Sequence, residues 1–143
     1  MRPLLIAFGN PLRGDDGVAH ALARFWDADV RQLVQLTPEI AADLEGYPLV
    51  IFADADAGAT EPRLEPLNES LSTSPLSHFS TPAEVVALAR ALFGFTGRAL
   101  LCRIPARDFS SSAELSERAQ ALAAQSAALL GLPSASVELD ARQ

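Results

Sequence analysis

The run Pro48-Leu49-Val50-Ile51-Phe52-Ala53 constrains the fold more than any other feature of the chain. A stretch without polar alternation cannot lie with one face in water. It reads as a strand covered on both faces, the signature of a central strand in a mostly parallel sheet. Pro3-Leu4-Leu5-Ile6-Ala7-Phe8 is a second such run, long enough for a buried strand and too short to cross a membrane. Arg98-Ala99-Leu100-Leu101-Cys102-Arg103-Ile104 is a third. Between them the apolar period changes to that of a helix. Val18, Ala21, Leu22 and Phe25 share a face over 18–28, as do Val85, Val86, Ala89, Leu92 and Phe93 before residue 94. Such alternation predicts an α/β fold: a three-layer α/β/α sandwich around a mostly parallel twisted sheet of about five strands.

Local signals fill in the order. Val30-Arg31-Gln32-Leu33-Val34-Gln35 alternates and reads as a second strand. Thr37 as N-cap, Pro38 at the first helical position and Gly46 beyond the end define a short helix through Leu44. Residues 63–67 suit an edge strand, and 68–77, rich in Ser, Thr and Pro, suit a mobile surface loop. Thr81 and Glu84 form a capping box with Pro82 between them. Ser111 and Glu114 repeat that pattern before a last helix, 113–130, in which Leu115, Leu122 and Leu129 recur and which Gly131 stops. The tail after Pro133 reads as frayed. With no repeat and no linker, residues 1–143 are expected to form one domain.

Charge and cysteine usage exclude several function classes. The net charge of −7, with every basic residue an arginine, opposes nucleic-acid binding and anionic membranes. A single Cys102 excludes a disulfide framework and a Cys-rich zinc site. Without a leader pattern or a long apolar span, the expected location is the cytoplasm.

Chemistry is concentrated where strands end. Gly9-Asn10-Pro11-Leu12-Arg13-Gly14-Asp15-Asp16-Gly17-Val18 links the first strand to the first helix, and ligands in open α/β sheets bind beyond the carboxyl ends of the strands. The ordinary reading has Asp15 cap the helix and Asp16 favoured by its dipole. The sharper one sends Asp16 into the crevice as a ligand. Asp54 closes the third strand and is either a turn former or a second ligand; Asp56 is expected in the turn that follows. His78, just before a helix, is either a surface residue or a third. Two carboxylates and an imidazole would suit nickel, zinc, iron or manganese with an open coordination position.

His20 stands one helical turn from Asp16 but opposite the apolar stripe, so it is expected in solvent. Cys102 is expected buried and inert. Neither a phosphate loop, a dinucleotide fingerprint, a His-Glu-x-x-His motif nor a nucleophile elbow is present. A triad of Ser80, His78 and Asp54 can be drawn, but no spacing singles Ser80 out.

Residues 9–18 resemble the first signature of the hydrogenase maturation proteases, GNxLxxDD/E-G. Gln35-Leu36-Thr37-Pro38-Glu39-Ile40-Ala41 followed by Val50-Ile51-Phe52-Ala53-Asp54-Ala55 resembles a second stretch of that family, and Ser77-His78-Phe79-Ser80-Thr81-Pro82 a third. The resemblance implies an endopeptidase that removes the C-terminal extension of a nickel-iron hydrogenase large-subunit precursor. It implies that Asp16, Asp54 and His78 bind metal and carry the catalysis by engaging the nickel already inserted in the substrate, with Gly9, Asn10, Asp15 and Gly17 contacting substrate. The cofactor is then nickel carried by the substrate, another divalent ion being an option for the free protein. The partner is the nickel-loaded precursor, and the protein acts as a monomer. Ala59-Thr60-Glu61-Pro62-Arg63 replaces a Pro-Gly turn usual in the family, and Pro105-Ala106-Arg107-Asp108-Phe109-Ser110 a Gly-rich segment. Two other classes remain open: a non-catalytic metal-responsive binding protein or chaperone on the same scaffold, and a small-metabolite-binding α/β domain, which two aspartates at the first helix would disfavour for anions.

Overall fold

The structure, a computed structural model, describes residues 3–10, 12, 14–26, 29–69, 80–106 and 116–130. His78, the Ser111/Glu114 box, Leu115, most of the 68–77 loop and the tail after Pro133 lie outside the described residues. The strands are β1 (Leu4–Phe8), β2 (Val30–Leu33), β3 (Leu49–Asp56), β4 (Arg63–Pro66) and β5 (Arg98–Pro105). The helices are α1 (Val18–Ala23), α2 (Pro82–Leu92) and α3 (Glu117–Leu129), with 3-10 turns at Gly14–Gly17 and Pro38–Leu44.

One five-stranded sheet runs in the order β2-β1-β3-β5-β4. Every pairing is parallel except that of β4 with β5. The uninterrupted apolar run therefore lies at the centre, as its composition requires. Successive residues of β1 and β3 alternate between two cores. Leu5, Ala7, Ile51 and Ala53 pack with α1 and α3, including Val18, Leu22 and Ala123. Leu4, Ile6, Val50 and Phe52 pack on the other face with Ile40, Leu44, Val85 and Val86. The expected three-layer sandwich is what forms.

Several boundaries differ for identifiable reasons. α1 ends at Ala23 rather than 28, because Arg24, Phe25 and Trp26 donate to carbonyls three residues back and tighten the last turn. The Trp26 indole N–H then donates to the Asp29 carbonyl at 3.0 Å. The segment after Thr37 is a 3-10 helix whose N-cap side chain makes no capping bond. β3 continues through Asp56 instead of turning after Asp54, because β5 extends past β1 and pairs Asp54, Ala55 and Asp56 with Arg103, Ile104 and Pro105. The turn comes next, closed by Ala59 N–H to the Asp56 carbonyl.

The Thr81/Glu84 capping box forms as expected, with Glu84 N–H donating to Thr81 Oγ1 at 3.2 Å. α3 starts at Ser116, whose Oγ accepts the Ala119 N–H. Its buried face is Ala119, Leu122, Ala123, Ser126 and Ala127, while Leu129 is exposed. Leu129 follows Leu122 by one heptad but is the last residue of α3. Among the described residues no helix is long and apolar enough to cross a membrane.

Candidate active site

Backbone groups of the first strand-to-helix turn are held by β2 and by nearby side chains. Gly9 donates to the Leu33 carbonyl at 3.1 Å and then bends at φ +143°, where a Cβ would run into the backbone oxygen of Asp16. Asn10 N–H donates to Asp16 Oδ2 at 2.6 Å, and Asn10 Oδ1 accepts the Leu12 N–H at 2.9 Å. His20 Nε2 lies 2.8 Å from the Gly9 carbonyl oxygen. That oxygen can only accept, so Nε2 donates. His20 is half-buried and serves as a strut of the turn rather than the solvated residue expected.

Asp15 and Asp16 point to different tasks. Asp15 is buried, at 3% exposure, and Oδ1 accepts both the Ser116 N–H at 3.1 Å and the Ser116 hydroxyl at 2.9 Å. The expectation that Asp15 caps the first helix gives way to a tie across the fold: it anchors the start of α3 to the turn. Asp16 stays partly exposed at the carboxyl edge. Gly17 is the buried N-cap of α1 and Gly9 is buried, so these two shape the turn through their backbone.

Asp54 reaches the same edge from β3, one residue beyond the Ala7–Ala53 pair. Burial pushes its carboxyl up to about 7, the nearby Asp16 and Asp56 carboxylates push the same way, and Arg103 opposes them. Asp56, on the same face, goes the other way. The Gly58 N–H holds it below the usual carboxylate range, helped by Arg103, whose Nη1 donates to Asp56 Oδ2 at 3.0 Å. Arg103 Nε also donates to Glu65 Oε1 at 2.6 Å. An acid that titrates near neutral pH beside a second carboxylate is a candidate proton acceptor.

Sequence reasoning missed Arg103, Asp56, His20 and Ser116 as parts of this region. Arg103 had a signal: a charge inside an otherwise apolar strand needs a partner. Ser116 had none, because its partner lies 101 positions away.

His78 lies outside the described residues. The chain is described again at Ser80, whose N–H donates to the Leu36 carbonyl just beyond β2, on the Phe52 face of the sheet where Asp54 also lies. Among the described residues no group of three His, Cys, Asp or Glu side chains stands together as a metal site. Cys102 is fully buried, and burial pushes its thiol up to about 12, so it is inert as expected.

No family model and no curated protein matches the chain. Solved structures do. The [NiFe] hydrogenase maturation protease HybD from Thermococcus kodakarensis superposes with a TM-score of 0.69 at 18% identity, over 92% of this chain and 97% of that one. The hydrogenase 2 maturation peptidase from Thaumarchaeota archaeon SCGC_AB-539-E09 gives 0.62 at 21%, over 91% and 95%. An uncharacterized protein from Wolinella succinogenes gives 0.63 at 24%, over 99% of each chain. At such identities the likeness is one of architecture. This chain has the fold of the hydrogenase maturation endopeptidases.

Proposed function

We propose that this chain is an endopeptidase that removes the C-terminal extension of a nickel-iron hydrogenase large-subunit precursor and recognises the nickel inserted there. The observation that carries the reading is the pairing of Asp16 and Asp54 at the carboxyl edge, close enough that the charge of one raises the titration of the other. The shared fold and the motif around residues 9–18 support it. In this reading Asp16, Asp54 and His78 complete the shell of a nickel ion that belongs to the substrate. Docking on the metal positions the scissile peptide by proximity, and the metal polarises its carbonyl. A water attacks the carbonyl carbon, with Asp16 or Asp54 taking its proton; the C–N bond breaks and that proton passes to the leaving amine. The cation would favour the ionised carboxylate, so docking releases the proton Asp54 holds in the free protein. The protein acts as a monomer in the cytoplasm, and in the absence of precursor the same ligands accept another divalent ion.

Incubating the protein with nickel-loaded and nickel-free precursor and following intact mass tests this. A loss of mass confined to the loaded precursor is the expected result. Tight binding without any loss would identify the non-catalytic binding protein instead.

A further inference from the structure

A depression of about 370 Å³ opens beside Asp54 on the same edge of the sheet, a volume within the range of ligand pockets. Arg63 and Glu65 of β4, Asp56 and Arg103, and the turn carrying Gly58 and Thr60 form its walls. Its charges are unevenly committed. Arg103 is bonded to both Glu65 and Asp56, and Asp56 Oδ1 also accepts the Gly58 N–H at 2.8 Å. Both carboxylates are thus engaged. Arg63 is exposed, forms no ion pair among the described residues, and stands directly opposite Arg103 in the antiparallel pair. Like charges so placed repel, and the carboxylates of the pocket are spent on the other arginine. The uncommitted charge of this depression is therefore positive, in a chain whose net charge is −7. The Thr60 hydroxyl adds a neutral donor.

Register fixes where that charge lies relative to the acids. Asp54 pairs with Arg103 and Arg103 with Arg63, so the three form one row across β3, β5 and β4. At ordinary strand spacing the two ends of the row are about 10 Å apart, a span that an extended peptide covers in about three residues.

We infer that this depression is a specificity subsite that receives an acidic side chain of the substrate polypeptide about three residues from the bond cut, with Arg63 as its anchor. The inference rests on the endopeptidase reading for its substrate, but the anion preference stands on the pocket alone. It is tested by titrating isotope-labelled protein with acetyl-Ala-Glu-Ala-amide and following the amide resonances of Gly58, Ala59 and Thr60. Saturable shifts are expected, about two- to fivefold weaker with the Gln peptide, the range of an exposed ion pair. Arg63 lies on an exposed edge strand, so Arg63→Glu should keep the amide spectrum of the folded protein. In this variant the preference should pass to acetyl-Ala-Lys-Ala-amide. With nickel-loaded precursor, Arg63→Glu should raise KM and leave kcat. Equal binding of the Glu and Gln peptides, or a Glu preference that survives Arg63→Glu, overturns the subsite. A precursor that is never cut while the peptide preference holds overturns the endopeptidase reading and leaves the subsite standing.

Discussion

Asp16 and Asp54 share an edge but not an environment, and their variants should separate chemistry from stability. Asp16 accepts the Asn10 N–H and is partly exposed. Asp16→Ala should abolish precursor processing, as should His78→Ala, while far-ultraviolet circular dichroism stays that of the parent; unfolding of either variant would make the residue structural. Asp54 titrates near 7 in the folded protein against about 4 in an unfolded chain. Between those values the folded state holds the extra proton, so Asp54 leaves stability intact below about pH 4, weakens it as pH rises to about 7, and changes it no further above that. Asp54→Asn removes the charge and keeps the shape. It should stabilise the protein by about 1–3 kcal/mol at pH 8, the full shift being discounted for partial exposure, and by almost nothing at pH 4. Urea unfolding at the two pH values checks this, and an equal gain at both would refute the burial account. These two aspartates were legible as candidates because both follow apolar strands. The burial and the neighbouring charge that raise Asp54 were not, since both depend on where separate parts of the chain meet.

At the scale of elements, the two capped helices respond differently to loss of their caps. Thr81 and Glu84 cap α2 at the surface, and their partners are reached by water when the box is broken. Ser116 caps α3 and also satisfies the buried Asp15. Thr81→Ala should lower the unfolding free energy by about 1 kcal/mol. Ser116→Ala should lower it by about 2–3 kcal/mol, because it removes both a cap and a donor to a buried carboxylate. Urea titration of the two variants would show the order; equal losses would mean the Asp15 tie contributes little. The α2 box was legible because both of its halves lie within four residues and flank a proline. The α3 cap was expected at Ser111 and is Ser116, the serine that meets Asp15.

For the molecule as a whole, stability resides in the two cores on either side of β1 and β3. Phe52 is fully buried at the middle of one of them, and Leu92, at the end of α2, is largely exposed. Phe52→Ala should therefore cost about 3–5 kcal/mol, and Leu92→Ala less than about 0.5 kcal/mol, measured by urea unfolding. The three-layer arrangement was readable in advance, because a strand without polar alternation must be covered on both faces and the intervening helical periods supply the cover. The chain by itself thus determined the element order, the buried strands, the local capping box and the two acids at strand ends, since each is set by neighbours a few residues away. Tertiary structure alone decided how far β3 runs, which serine caps α3, that His20 braces Gly9, and that Arg103 joins Asp56 to Glu65. Each of those depends on contacts between residues far apart in the chain, and the energy of such a contact has no imprint on the local pattern of either partner.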